Sequence, residues 1–239
     1  MNRYTSRGAA LLVIAAGVVL LGWVAVMLSG WPPAPPGEVA PSPTATEDEP
    51  AEPPAPKRLV VFGHSMPAGG GASDSSLGYA QVAAEAVGLR LVNHAEGGSI
   101  ASTAANTMAA ASAVKETDIV LIHTGMNDIL TRGTQAAEMG REAIDRLLRG
   151  TSDAQRRIVE LECQPATWEH TPPYDKGSQR AYDEWNAMLR DEAADWVNVT
   201  VLDTCATWKP ATLVDSTRYH PNDRGHEIIA RDVAQSVES

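Results

Sequence analysis

Phenylalanine occurs once in this chain of 239 residues, and aromatic side chains make up only 5% of it. The core cannot rest on aromatic rings, so alanine and valine must supply much of its packing. Basic charge is also short: 19 Lys and Arg face 30 Asp and Glu, a formal net charge of −11. Gripping a phosphate backbone takes clustered Lys and Arg, so a nucleic-acid partner is excluded. Only two cysteines are present, and no Cys/His cluster has the spacing of a zinc site, so no metal is expected. No internal repeat is visible.

What is present divides the chain into three parts. Arg3 and Arg7 precede a chargeless apolar stretch from about Gly8 to Leu28. About 20 such residues span a bilayer as a helix, whereas a cleaved signal peptide has a shorter apolar core of about 7–15 residues. No Lys or Arg follows until Lys57, so the positive-inside rule leaves the N-terminus in the cytoplasm and the rest outside. Residues 1–31 are therefore expected to be an uncleaved signal-anchor, with a cleaved signal peptide and a secreted protein as the alternative. Residues 32–57 are proline-dense and show no apolar period, which predicts a disordered tether. Residues 58–239 form the domain, and the membrane touches the protein through the N-terminal helix only.

Within the domain, short apolar runs alternate with amphipathic stretches. Strands are expected at 58–62, 90–94, 118–123, 157–162 and 197–203. Helices are expected at 77–88, 99–115, 134–150, 177–196 and 221–239. Strands separated by helices imply parallel pairing with both sheet faces covered. The prediction is a three-layer α/β/α (flavodoxin-like) domain with a five-stranded parallel sheet.

Sites on such a sheet form beyond the carboxyl ends of its strands. The first strand runs into "GHSMPAGGG" with Ser65, and the second into "NHAEGGS" with Asn93, Gly97 and Gly98. The third delivers "HTGMND" with Asn127 and Asp128. Past the fifth comes "VDSTRYHPNDRGH" with Asp215 and His220. A serine, glycines that expose backbone, an asparagine and a histidine thus meet on one edge. Those are the parts of a serine acyl hydrolase: nucleophile, oxyanion donors and general base.

These four blocks, in this order over residues 58–239, resemble the SGNH (GDSL-like) hydrolase family. The resemblance implies an esterase with Ser65 as nucleophile and His220 as base. The oxyanion donors would be the backbone N–H groups of Ser65 and Gly98 and the amide of Asn127. It implies no cofactor and an ester substrate, with acylated glycans or lipids among the candidates. An O-acyltransferase using the same acyl-enzyme and a non-catalytic binding module are the rival readings.

Two positions depart from the family pattern. His64 stands where the family has Asp before the serine, and is expected to be structural. Thr217 stands where the family has Asp three residues before the histidine. Asp215 would orient His220 if the loop bulges; otherwise His220 works in a dyad, held by a backbone carbonyl or Thr217. The ends of strands four and five should be neighbours in this fold, so Cys163 and Cys205 are expected to form a disulfide, with two buried free thiols as the alternative. His94 and His123 read as satisfied polar residues, and His226 as a cap or surface residue. Among Trp168, Trp185 and Trp208, at least two are expected in the core.

Overall fold

Alternation of side chains along each central strand decides how the layers assemble. In β1 (Arg58–Gly63), Leu59 and Val61 face one side while Val60 and Phe62 face the other. The same division holds in β3 (Ile119–His123), with Ile119 and Leu121 opposite Val120 and Ile122. Both faces must be covered by helices, and they are.

The computed structural model describes residues 57–165 and 171–239. The expected anchor over 1–31, nearly all of the tether over 32–57, and Trp168 lie outside the described residues. Among the described residues, no helix is long and apolar enough to cross a membrane.

All five strands are parallel, in the order β2-β1-β3-β4-β5, where β2 is Arg90–Asn93, β4 Arg156–Glu160 and β5 Val199–Leu202. This is the strand order of flavodoxin-like sheets. Helices α1 (Tyr79–Ala86) and α6 (Asp223–Glu238) cover one face. Helices α2 (Ala101–Ala110), α4 (Ala136–Gly150) and α5 (Gln179–Ala194) cover the other. The expected elements all form, most of them shorter than the apolar pattern suggested. A further short helix, α3 (Met126–Arg132), follows β3 directly. Alanine does much of the packing on α1 and α2, as the shortage of aromatics requires, and Trp185 and Trp208 are both buried.

Helix ends carry the caps their sequences offer. Ser178 accepts from the Ala181 N–H at the start of α5, and Asn222 from the Gly225 N–H at the start of α6. Cys163, just past β4, and Cys205, just past β5, are joined in a disulfide with their Cα atoms 5.3 Å apart. Adjacent parallel strands bring the two cysteines together.

Candidate active site

The chain leaves β1 at Gly63, where the His123 carbonyl oxygen passes so close that a Cβ would lie 2.0 Å from it. The His64 N–H then donates to that same carbonyl. Next comes a tight turn tied to itself: the Gly70 N–H donates to the Ser65 carbonyl at 2.7 Å, and the Gly69 N–H to that of Met66 at 2.9 Å. Ser65 is thus held at the sheet's edge on a braced turn and is half-buried.

The glycine triplet after it allows close approach. At Gly71, with φ +91°, a Cβ would sit 2.3 Å from the Pro221 carbonyl oxygen and 2.6 Å from His220 Cβ. The loop carrying His220 therefore packs directly against the loop carrying Ser65. Two more ties fasten them. The Asp223 carboxylate accepts from the Ser73 N–H and hydroxyl, both at 2.7 Å, and His226 Nε2 lies 3.0 Å from the Gly70 carbonyl oxygen. His226 is fully buried and also accepts the Tyr79 N–H. It caps the first turn of α1 and ties it to the Ser65 loop, so of the two expected roles the cap holds and the surface position does not.

The result is a hydrogen bond of 2.8 Å between Ser65 Oγ and His220 Nε2. Behind His220, the loop bulges as its two extra residues require. Val214 and Pro221 form an isolated bridge, and the Asp215 N–H donates to the His220 carbonyl. Asp215 Oδ1 accepts from the Thr217 hydroxyl at 2.5 Å and from the Thr217 and Arg218 N–H groups. Asp215 Oδ2 stands 3.5 Å from His220 Nδ1, and Thr217 Oγ1 stands 3.3 Å from it. The Thr217 proton is committed to Asp215, so its oxygen faces the ring as an acceptor. Both residues left open by the sequence thus stand beside the imidazole. Burial lowers the His220 pKa below its ordinary 6.5, and the Asp215 charge only partly opposes this.

The remaining blocks close around the serine. Asn127, in the first turn of α3, donates from Nδ2 to the Ser99 carbonyl at 2.9 Å, leaving its second amide proton for the cleft. Among the described residues, the backbone N–H groups of Ser65 and Gly98 donate to no partner. Asp128 is fully buried; it accepts the Ala101 N–H at 2.8 Å and the Arg132 guanidinium at 2.6 Å. It clasps the start of α2 to α3 and so fixes Gly98 relative to Asn127. Asn93 makes a similar tie, from Nδ2 to the Pro67 carbonyl.

Ser65, Gly98, Asn127 and His220 line one cleft of about 370 Å³, whose other walls include Met126, Leu130, Tyr174 and Tyr219. A cavity of about 440 Å³ lies near the disulfide, but it holds neither Ser65 nor His220. Chemistry and not size therefore marks the site. Sequence reasoning missed Tyr174 and the two glutamates Glu160 and Glu162 buried below the cleft, because none belongs to a motif.

Known proteins point the same way. The sequence profile of the GDSL-like Lipase/Acylhydrolase family matches residues 61–228. No curated protein matches the chain. Among solved structures, a member of the lipolytic protein G-D-S-L family from Veillonella parvula DSM 2008 is 20% identical with a TM-score of 0.61, covering 75% of this chain and 97% of that one. The psychrotrophic esterase EstA from Pseudoalteromonas sp. is 16% identical with a TM-score of 0.62, covering 76% and 96%. An acetyl-xylooligosaccharide esterase variant from Geobacillus Stearmophilus is 22% identical with a TM-score of 0.56, covering 77% and 95%. At these identities the likeness is one of fold.

Proposed function

The chain belongs to the GDSL-like lipase/acylhydrolase family and is an ester hydrolase; we propose that it works through an acyl-enzyme on Ser65. The observation that carries this reading is the 2.8 Å hydrogen bond from Ser65 Oγ to His220 Nε2 at the mouth of the cleft. His220, with its pKa lowered by burial, is a neutral base at pH 7. Ser65 Oγ adds to the ester carbonyl carbon as its proton passes to Nε2. The carbonyl electron pair moves onto oxygen, which the Ser65 and Gly98 N–H groups and the Asn127 amide receive. The tetrahedral species collapses, and the departing alcohol takes the proton from Nε2. Water then repeats the sequence on the acyl group and frees Ser65. Asp215, with the Thr217 hydroxyl between them, orients the imidazole and balances its charge while it is protonated.

Small acyl esters are the proposed substrates, with O-acetyl groups on a glycan as the leading natural class. The fold shared with a protein described as an acetyl-xylooligosaccharide esterase supports this class. The proposed setting is the outer side of a membrane, tethered through residues 1–57. The chargeless run at 8–28, the proline-rich stretch and the disulfide support that setting. Full-length protein is expected to turn over p-nitrophenyl acetate and to release acetate from acetylated glycan. Failure on every acyl ester offered would overturn the reading, and transfer of the acetyl group to an added sugar would make it a transferase. Protease treatment of whole cells should release the intact domain; recovery of a mature protein lacking its first thirty residues would show a cleaved signal peptide instead.

A further inference from the structure

Beneath Ser65 lies a polar cluster that the proposed reaction does not use. Glu160, the last residue of β4, and Glu162, two residues beyond it, are both buried. His123, the last residue of β3, sits between them: Nδ1 is 3.1 Å from Glu160 Oε2, and Nε2 is 3.6 Å from Glu162 Oε2. The Tyr79 hydroxyl lies 2.7 Å from His123 Nδ1 and 2.9 Å from Glu160 Oε2, and the Thr204 hydroxyl donates to Glu160 Oε1. His64, the residue before Ser65, meets Glu162 Oε1 through Nε2 at 2.9 Å. Burying two carboxylates is costly unless each is paired and hydrogen-bonded. The fold accepts that cost directly below its nucleophile.

His64, His123 and Glu162 bring ligand-type atoms within 4.8 Å of one another, as a metal site would. Proton placement argues against that use. The Met66 N–H donates to His64 Nδ1 at 3.2 Å, so the ring proton stays on Nε2 and points at Glu162. A metal would need the lone pair that this proton occupies. The arrangement instead forms a line from Glu162 through the His64 ring to the Met66 N–H, and it grips the residues on both sides of Ser65.

We propose that Glu162 is a positioning residue for Ser65, acting through His64. Glu162 is itself fixed from outside. Its N–H and carbonyl both bond to the Asn186 side-chain amide at 2.9 Å, and the next residue, Cys163, is in the disulfide. Burial opposes its charge, yet His64 and His123 hold its carboxyl well below the usual carboxylate range. The acceptor facing His64 Nε2–H is therefore a full carboxylate, which makes the stronger hydrogen bond. The inference rests on Ser65 being the nucleophile.

The test reads turnover per working site. A p-nitrophenyl alkylphosphonate loses one p-nitrophenolate as Ser65 Oγ bonds to phosphorus, so its burst counts competent sites. Glu162→Met removes the acceptor while filling its space, and Glu162→Gln restores an acceptor. His64→Leu cuts the same line from the other end, and serves where Glu162→Met does not fold. For Glu162→Met, the kcat for p-nitrophenyl acetate per titrated site should fall about 10- to 100-fold, the scale of a displaced reacting group, with KM little changed. Glu162→Gln should recover most of that loss. The double variant should be no slower than His64→Leu alone, as expected for residues that act as one unit. A purely structural role would lower the melting temperature and leave kcat per site unchanged. That result, or losses that multiply in the double variant, would overturn the inference. If wild-type protein gives no stoichiometric burst yet hydrolyses the ester, the nucleophile reading itself fails and the inference falls with it.

Discussion

Ser65 Oγ and His220 Nε2 stand 2.8 Å apart although 155 residues separate them in the chain. The contact depends on Gly71, where any side chain would strike His220 and Pro221, and on the Ser73–Asp223 hydrogen bonds. Removing either partner removes the reaction and leaves the fold. Ser65→Ala should abolish ester hydrolysis with little change in melting temperature. His220→Ala should be nearly as severe, and the double variant no worse than either, because the two act as a unit. Steady-state rates on p-nitrophenyl acetate check this; a folded Ser65→Ala protein with full activity would refute it.

Asp215 reaches His220 Nδ1 at 3.5 Å with the Thr217 oxygen at 3.3 Å. A protonated imidazole needs a negative charge more than a neutral hydroxyl. Asp215→Asn should therefore lower kcat by up to about 10⁴-fold, the scale seen when a triad carboxylate is lost. Thr217→Ala should be mild, since the Asp215 carboxylate remains next to the ring. Comparable mild effects from both would leave His220 working as a dyad.

Asn127 contributes a donor to the cleft and a tie to Ser99. Asn127→Ala should lower kcat by about 100- to 1,000-fold, the usual loss for one oxyanion donor. KM should move little, because the donor acts on charge that develops in the transition state. A large rise in KM with kcat intact would instead make Asn127 a substrate-binding group.

The pH dependence follows from His220. Its pKa lies below 6.5 because burial disfavours the imidazolium, with Asp215 opposing. The base is neutral above that pKa and protonated below it. The acid limb of the profile should therefore have its midpoint below pH 6.5. A kcat/KM midpoint above 6.5 would contradict this.

The disulfide closes a loop with a sequence separation of 42 between Cys163 and Cys205. In the chain-entropy account such a closure is worth on the order of 3–4 kcal/mol. Reduction should lower the melting temperature, as thermal unfolding with and without reductant will show. Thiol counting on non-reduced, denatured protein should find none.

Much of this was legible in the sequence. Strand periodicity placed all five strands, and the four motifs fell at the ends of β1, β2 and β3 and before α6. Asp215 could be named but not decided, because a two-residue bulge is a matter of loop geometry that no local pattern fixes. The helix Met126–Arg132 escaped notice because seven residues are too few to show a period. Glu160 and Glu162 fall within the strand expected at 157–162, where no local pattern marks them. Only the sheet order, which sets β4 beside β3, shows that they meet His123 and His64 underground. His226 reads in sequence as a cap or surface residue; that it caps α1 while buried depends on where α1 and the Ser65 loop land.

The central claim is that an acyl group passes through Ser65. Full-length protein turning over p-nitrophenyl acetate can be quenched in acid, digested and mapped by mass spectrometry. The account predicts one acetyl group per chain, on the Ser65 side chain, absent when His220→Ala protein is treated alike. Acetyl on another residue, or an unmodified Ser65 peptide under conditions where acetate release has been shown to be limited by deacylation, would contradict it.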